Sequence, residues 1–174
     1  MGSDRIKIFR ITDYMVAMQI ITHPAIKDVL VEDDQAQWIP DILNEHWLGI
    51  LYDEELAGCF RVQQCSKILF QAHIYFLPGF RRYAQLSTVH AMEWVLENLE
   101  HLELMICMIP ECFENVIEFA KKCGFSCCGY FARSYLRKGE IVGTRLLSIT
   151  RNDVESFIKI ERKKWEQYQP EQPH

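Results

Sequence analysis

The spacing of hydrophobic and polar positions changes several times along the chain, and each change marks an element. Arg5 to Ile11 alternates through Ile6, Ile8 and Ile11, which predicts a first strand. Thr12 and Asp13 are N-cap residues, because short oxygen-bearing side chains accept from unpaired helix N–H groups. They predict a helix over Tyr14 to Thr22. His23-Pro24 ends that helix, since the residue before proline avoids helical geometry. Pro24 then suits the first turn of a second helix over Ala25 to Leu30. Glu32-Asp33-Asp34-Gln35 reads as a polar loop, and Trp38 to Glu45 shows no clear period. Trp47 to Tyr52 and Leu56 to Gln64 are predicted hairpin strands about Asp53-Glu54-Glu55. Cys65-Ser66-Lys67 turns the chain into a third strand, Ile68 to Phe76. After the turn Leu77 to Arg82 come a helix over Ala84 to Leu99 and a strand over Leu102 to Ile109. Val116, Phe119, Ala120 and Cys123 then carry a helix over Glu114 to Cys123, with Gly124 as its left-handed cap. Cys127 to Leu136 and Thr144 to Ile149 read as a hairpin turning at Lys138-Gly139-Glu140. Asn152 and Asp153 are the predicted caps of a last helix, Val154 to Tyr168.

A three-strand meander followed by a helical crossover predicts an α/β (α+β) fold. Its sheet is central, mixed and mostly antiparallel, with flanking helices. The expected organisation is one domain over residues 1–151, a C-terminal helix over 152–168 docked on it, and a frayed tail over 169–174 holding Pro170 and Pro173. Phe157, Ile158, Ile160 and Trp165 give the last helix an apolar side among mixed charges, so it is read as a docked surface helix.

The chain has 174 residues, 49% hydrophobic and 25% charged, enough for one full core. No apolar run reaches the roughly 20 residues that span a bilayer. No apolar signal core follows Met1-Gly2-Ser3-Asp4-Arg5, so a cytoplasmic protein is expected. Ile6 stands where an acylation motif wants Ser or Thr, and Gly2-Ser3 reads equally well as a cloning remnant. The net charge of −5 argues against a nucleic-acid partner. The seven cysteines include no CxxC pair. They are read as reduced thiols used as small hydrophobes, and no metal is expected.

The chemistry concentrates between Lys67 and Phe125. A strand, an arginine-bearing turn and a helix start follow one another there, an arrangement that can cradle a pyrophosphate. Helix N–H groups point at the anion, and Arg81 and Arg82 add charge. Pro78 and Arg81 fall in register with the cofactor loop of the GNAT superfamily of N-acetyltransferases. Ala84 and Leu86 hold that loop's two glycine places. Asn115, followed by Cys123-Gly124-Phe125, resembles the superfamily's Asn and closing Gly-Phe, and the element order matches over about residues 5 to 150. The Pro-x-x-Arg-Arg turn, the Trp94 helix and Ile109-Pro110-Glu111 are similar to a phage-encoded branch, including internal virion proteins.

The resemblance implies acetyl-CoA as co-substrate and an amine as acceptor. The pantetheine arm would lie along Ile74, Tyr75 and Phe76. Arg81, Arg82, Tyr83, Ala84 and Gln85 would hold the pyrophosphate, with Asn115 beside the cofactor. His73 and Glu111 are the candidate bases, an imidazole on the central strand and a carboxylate past the next one. Ala120 occupies the superfamily's usual tyrosine acid position; Tyr130 or Tyr135 would substitute only through a changed geometry. His73 also reads as a core or cleft histidine, Glu111 as a loop acid, and the two arginines as surface charges. Phe70, Tyr75, Phe76, Phe80 and Tyr83 read as cleft or as core. Two functions therefore stay open. One is acetyl transfer to a primary amine by direct attack. The other is a catalytically inactive protein of this fold, in a virion or the host cytoplasm, with a protein partner.

Overall fold

The structure, a computed structural model, describes residues 5–30 and 39–167. The Glu32–Gln35 loop, Trp38 and the tail after 168 lie outside the described residues. The elements are β1 (Ile6–Arg10), α1 (Tyr14–Ile21), α2 (Pro24–Leu30), β2 (His46–Tyr52), β3 (Glu55–Gln64), β4 (Leu69–Phe76), α3 (Ala84–Asn98), β5 (Leu104–Pro110), α4 (Glu114–Lys122), β6 (Ser126–Arg137), β7 (Glu140–Thr150) and α5 (Arg151–Gln167). A single 3₁₀ turn, Arg81–Tyr83, precedes α3. Asp13 caps α1 as expected, its carboxylate accepting from the Met15 N–H at 2.8 Å.

The seven strands form one sheet in the order β1-β2-β3-β4-β5-β7-β6. Only the β4–β5 pair is parallel, because α3 crosses over between them; every other pair is antiparallel. Strand alternation sends side chains to two faces. Phe60, Val62 and Phe70 join Val89 and Val95 of α3, Leu147 and Ile149 of β7, and Phe157 of α5 in the larger core. Trp47 and Cys59 face the other way, against Ala17, Ile20 and Ile21 of α1 and Ile26 of α2. No helix among the described residues is long and apolar enough to cross a membrane.

Two boundaries differ from the sequence expectation. The last helix starts at Arg151, directly after β7, and not at Val154. Its cap is Thr150, whose Oγ1 accepts from the Asp153 N–H at 3.2 Å and donates to the Asp153 carboxylate at 2.6 Å. Arg151 is drawn in because its guanidinium donates to the carbonyls of Leu96, Leu99 and Leu102 around the end of α3. The last hairpin is also longer than its hydrophobic pattern, since its turn end is exposed at Glu140 and Ile141 and only partly buried from Tyr135 to Arg137, with no alternation. It closes through Lys138 and Gly139, at φ 51° and 77°, the left-handed pair that matches strand twist.

Candidate active site

The parallel β4–β5 ladder is short. Leu69 pairs with Leu104, Phe70 with Met105 and Gln71 with Ile106, and there the pairing stops. Both strands run on, β4 to Phe76 and β5 to Pro110, each still held by its outer neighbour. β3 pairs with β4 as far as Gly58 opposite Phe76, and β7 with β5 as far as Thr144 opposite Pro110. The middle of the sheet thus opens into a fork whose inner edges carry N–H and C=O groups with no strand partner. That is where an extended ligand can add as a strand.

Gly58 explains the direction of the β4 arm. A register shift in the β2–β3 ladder brings Gly58 against the end of β4. A Cβ there would lie 2.1 Å from the Tyr75 carbonyl oxygen and 3.0 Å from the Phe76 Cα. Only glycine lets β4 close onto β3 at this level, away from β5.

Above the fork, the 3₁₀ turn and the first turn of α3 follow β4. No side chain caps α3; the 3₁₀ turn takes that place, with the Ala84 N–H donating to the Arg81 carbonyl and the Tyr83 N–H to the Phe80 carbonyl. Arg81 and Arg82 are exposed. Arg82 lies over the Tyr83 ring at 4.8 Å. Tyr83 stacks on Tyr52 at 3.7 Å, sharing a hydroxyl hydrogen bond, and Arg5 lies over Tyr52 at 4.6 Å. Arg82 is therefore the end of a four-layer stack that ties the turn to β2. Arg81 forms no ion pair among the described residues. The Gln85 side chain turns to α5, donating to Glu161 at 2.9 Å.

His73 and Tyr75 stand on the β4 arm, facing α1 and α2. The imidazole Nε2 is buried, with no hydrogen-bond partner among the described residues. Burial, then the nearby Arg61 guanidinium, push its pKa down to about 4, so it is neutral at pH 7. Burial also pushes the Tyr75 phenol up.

Glu111 follows the other arm. Its Oε1 accepts from the Gly143 N–H at 2.9 Å and its Oε2 from the Tyr130 hydroxyl at 3.1 Å. Desolvation and this contact raise the Tyr130 pKa. Tyr130 reaches Glu111 by crossing Gly143, where a Cβ would meet the phenol oxygen at 2.0 Å. Gly143→Ala is expected to swing this half-exposed tyrosine aside and break its bond to Glu111. The stability loss should stay within about 1 kcal/mol, because a surface side chain can yield. A denaturant midpoint and a Tyr130 spectrophotometric titration check both parts.

A family model described as Protein of unknown function (DUF2824) matches residues 6–160. The chain belongs to this family. No curated protein matches the sequence. Among solved structures, the DUF2824 chain is similar to spermidine N-acetyltransferase of Vibrio cholerae in complex with CoA and spermine, with TM-score 0.73 at 10% identity over 87% of this chain and 99% of that one. A dodecameric structure of the Vibrio cholerae enzyme, in an intermediate state, gives TM-score 0.69 at 10% identity over 86% and 95%. At such identity the likeness establishes the fold: the mixed, mostly antiparallel sheet implied by the GNAT resemblance is the fold of these acetyltransferases.

In the DUF2824 structure, His73, Ile74, Tyr75 and Phe76 lie together on one arm of the fork, with Arg81 to Gln85 directly above. Glu111 and the exposed Asn115 lie past the other arm. Ala120 is buried in the core. Three residues beside the fork escaped the sequence reading: Gly58, and the pair of buried Glu45 and partly buried Arg61. Their signals were a lone glycine and a lone arginine inside an apolar strand pattern.

Proposed function

We propose that this protein is an acyl-CoA-dependent N-acetyltransferase that moves an acetyl group from acetyl-CoA to a primary amine. The observation that supports the reading most is the fork: β4 and β5 part after Gln71 and Ile106 although both strands continue. The unpaired edge from Ala72 to Phe76 suits the amide groups of a pantetheine arm. The exposed Arg81 guanidinium at the start of α3 suits the pyrophosphate. The neighbour bound to CoA and spermine has the same fold. Acetyl-CoA supplies an activated thioester.

The amine nitrogen attacks the thioester carbonyl carbon; the C–N bond forms as the C–S bond breaks. The amine proton passes to water, with the neutral His73 imidazole as the proposed side-chain base, and the thiolate takes a proton from solvent. Of the two candidate bases we favour His73, because both carboxylate oxygens of Glu111 are already engaged. We assign the anion contact to Arg81 rather than Arg82, which is held in its stack.

Calorimetric titration with acetyl-CoA, with CoA as control, tests this. One-to-one binding with micromolar Kd is expected, at least tenfold weaker in Arg81→Glu at an unchanged Tm. No heat and no Tm shift at millimolar ligand would overturn the reading and move the function to a protein partner.

A further inference from the structure

The register across β2, β3 and β4 places Trp47, Arg61 and His73 in one row, level with the opening of the fork. Glu45, 6% exposed, anchors that row. Its carboxylate accepts from Arg61 Nε at 2.7 Å, from Arg61 Nη2, and from Trp47 Nε1 at 3.1 Å. The same guanidinium lies close enough to the Tyr75 hydroxyl to act on it electrostatically. The Tyr75 ring lies nearly parallel to the His73 imidazole, at 14° with centroids 6.3 Å apart. His73 Nε2 is the atom of this row left with nothing to bond among the described residues.

A buried ion pair is weak support for a fold, since an apolar pair of equal volume usually serves as well. A buried nitrogen without a partner is a cost. Stability alone accounts for neither, whereas a site that orients a reacting group accounts for both. We propose that the Glu45–Arg61 pair is a positioning device for His73: the clamped guanidinium anchors the Tyr75 hydroxyl, and the Tyr75 ring sets the direction in which the imidazole meets an acceptor amine at the fork. This rests on the acetyltransferase reading. Lysine cannot replace the arginine, because one ammonium cannot hold a carboxylate in two places and a phenol in a third.

The charged groups acting on His73 are Arg61, which lowers its pKa, and Glu45, which raises it. Arg61→Lys and Tyr75→Phe are each expected to lower kcat about tenfold, with KM for acetyl-CoA within twofold of wild type. The double variant should lose little more than either single one, since both act through one chain of contacts. Glu45→Gln keeps side-chain size and should move the His73 imidazole titration, followed by NMR, further down. That shift follows from the lost charge; a purely structural pair would leave kcat in the same variant unchanged. Unchanged kcat in Arg61→Lys or in Glu45→Gln, or losses that simply multiply, would each overturn the device. If Arg61→Lys fails to fold, Tyr75→Phe and Glu45→Gln carry the same test. Should the wild type transfer acetyl to no amine, the proposed function falls, and the NMR shifts of the His73 ring in Tyr75→Phe, expected to move, alone still decide whether the pair orients His73.

Discussion

Gly58→Ala is expected to lower the unfolding free energy by about 3 kcal/mol or more, a loss that few single methyl additions cause. The added Cβ would sit 2.1 Å from the Tyr75 carbonyl oxygen and 3.0 Å from the Phe76 Cα. Both obstacles are main chain inside a paired ladder, so neither can rotate away. Either the Gly58–Phe76 and Cys59–Tyr75 pairs separate, or the β4 arm moves toward β5 and narrows the fork. The comparison with Gly143→Ala isolates the cause. The clash there is nominally as close, 2.0 Å, but it falls on the free end of the Tyr130 side chain. Urea unfolding of the two variants should separate them by at least 2 kcal/mol. A loss at Gly58 below about 1 kcal/mol would mean that β3 and β4 give way easily, and the account of the fork's direction would have to go.

Element order was legible in the sequence because strands and helices announce themselves through their different periods. The Asp13 cap and the Gly124 cap, at φ 91°, follow from the chemistry of single residues. Less legible was everything set by pairing between distant segments. The split of β4 from β5 leaves no trace in either strand's pattern, since Phe70 and Ile74 alternate across the point where pairing ends. The resemblance to an acetyltransferase loop marked the right end of the sheet, but gave Arg81 and Arg82 equal roles. The Tyr52–Tyr83 stack that separates them joins residues 31 positions apart. Glu45 fell in a stretch without a period, and its partner Arg61 sat unremarked in a predicted hairpin strand. The α5 cap was misplaced because Asn152 and Asp153 are strong cap types. Thr150, still within β7, took the role once Arg151 was pulled onto the end of α3.

His73→Ala is expected to lower turnover roughly a hundredfold while leaving acetyl-CoA affinity within twofold, because the imidazole is the proposed base while the proposed cofactor contacts come from the β4 edge and Arg81. The same variant carries a second signature that does not depend on activity. In the folded chain the His73 pKa is pushed down to about 4, from 6.5 in an unfolded chain. Between those values the unfolded state binds the extra proton, so stability is complete above pH 6.5 and falls as the pH drops toward 4. The size of that loss follows from 1.36 kcal/mol per unit over the interval from 6.5 to about 4, on the order of 3 kcal/mol. Alanine removes it. The variant should therefore unfold at lower pH than wild type, and its stability between pH 4 and 6.5 should be flatter. It should also be spared the unpartnered Nε2, which partly offsets the cavity left by the ring. An acid-unfolding curve superimposable on wild type would show that the imidazole is not held neutral by burial. A loss of turnover of only twofold would remove His73 from the proton route.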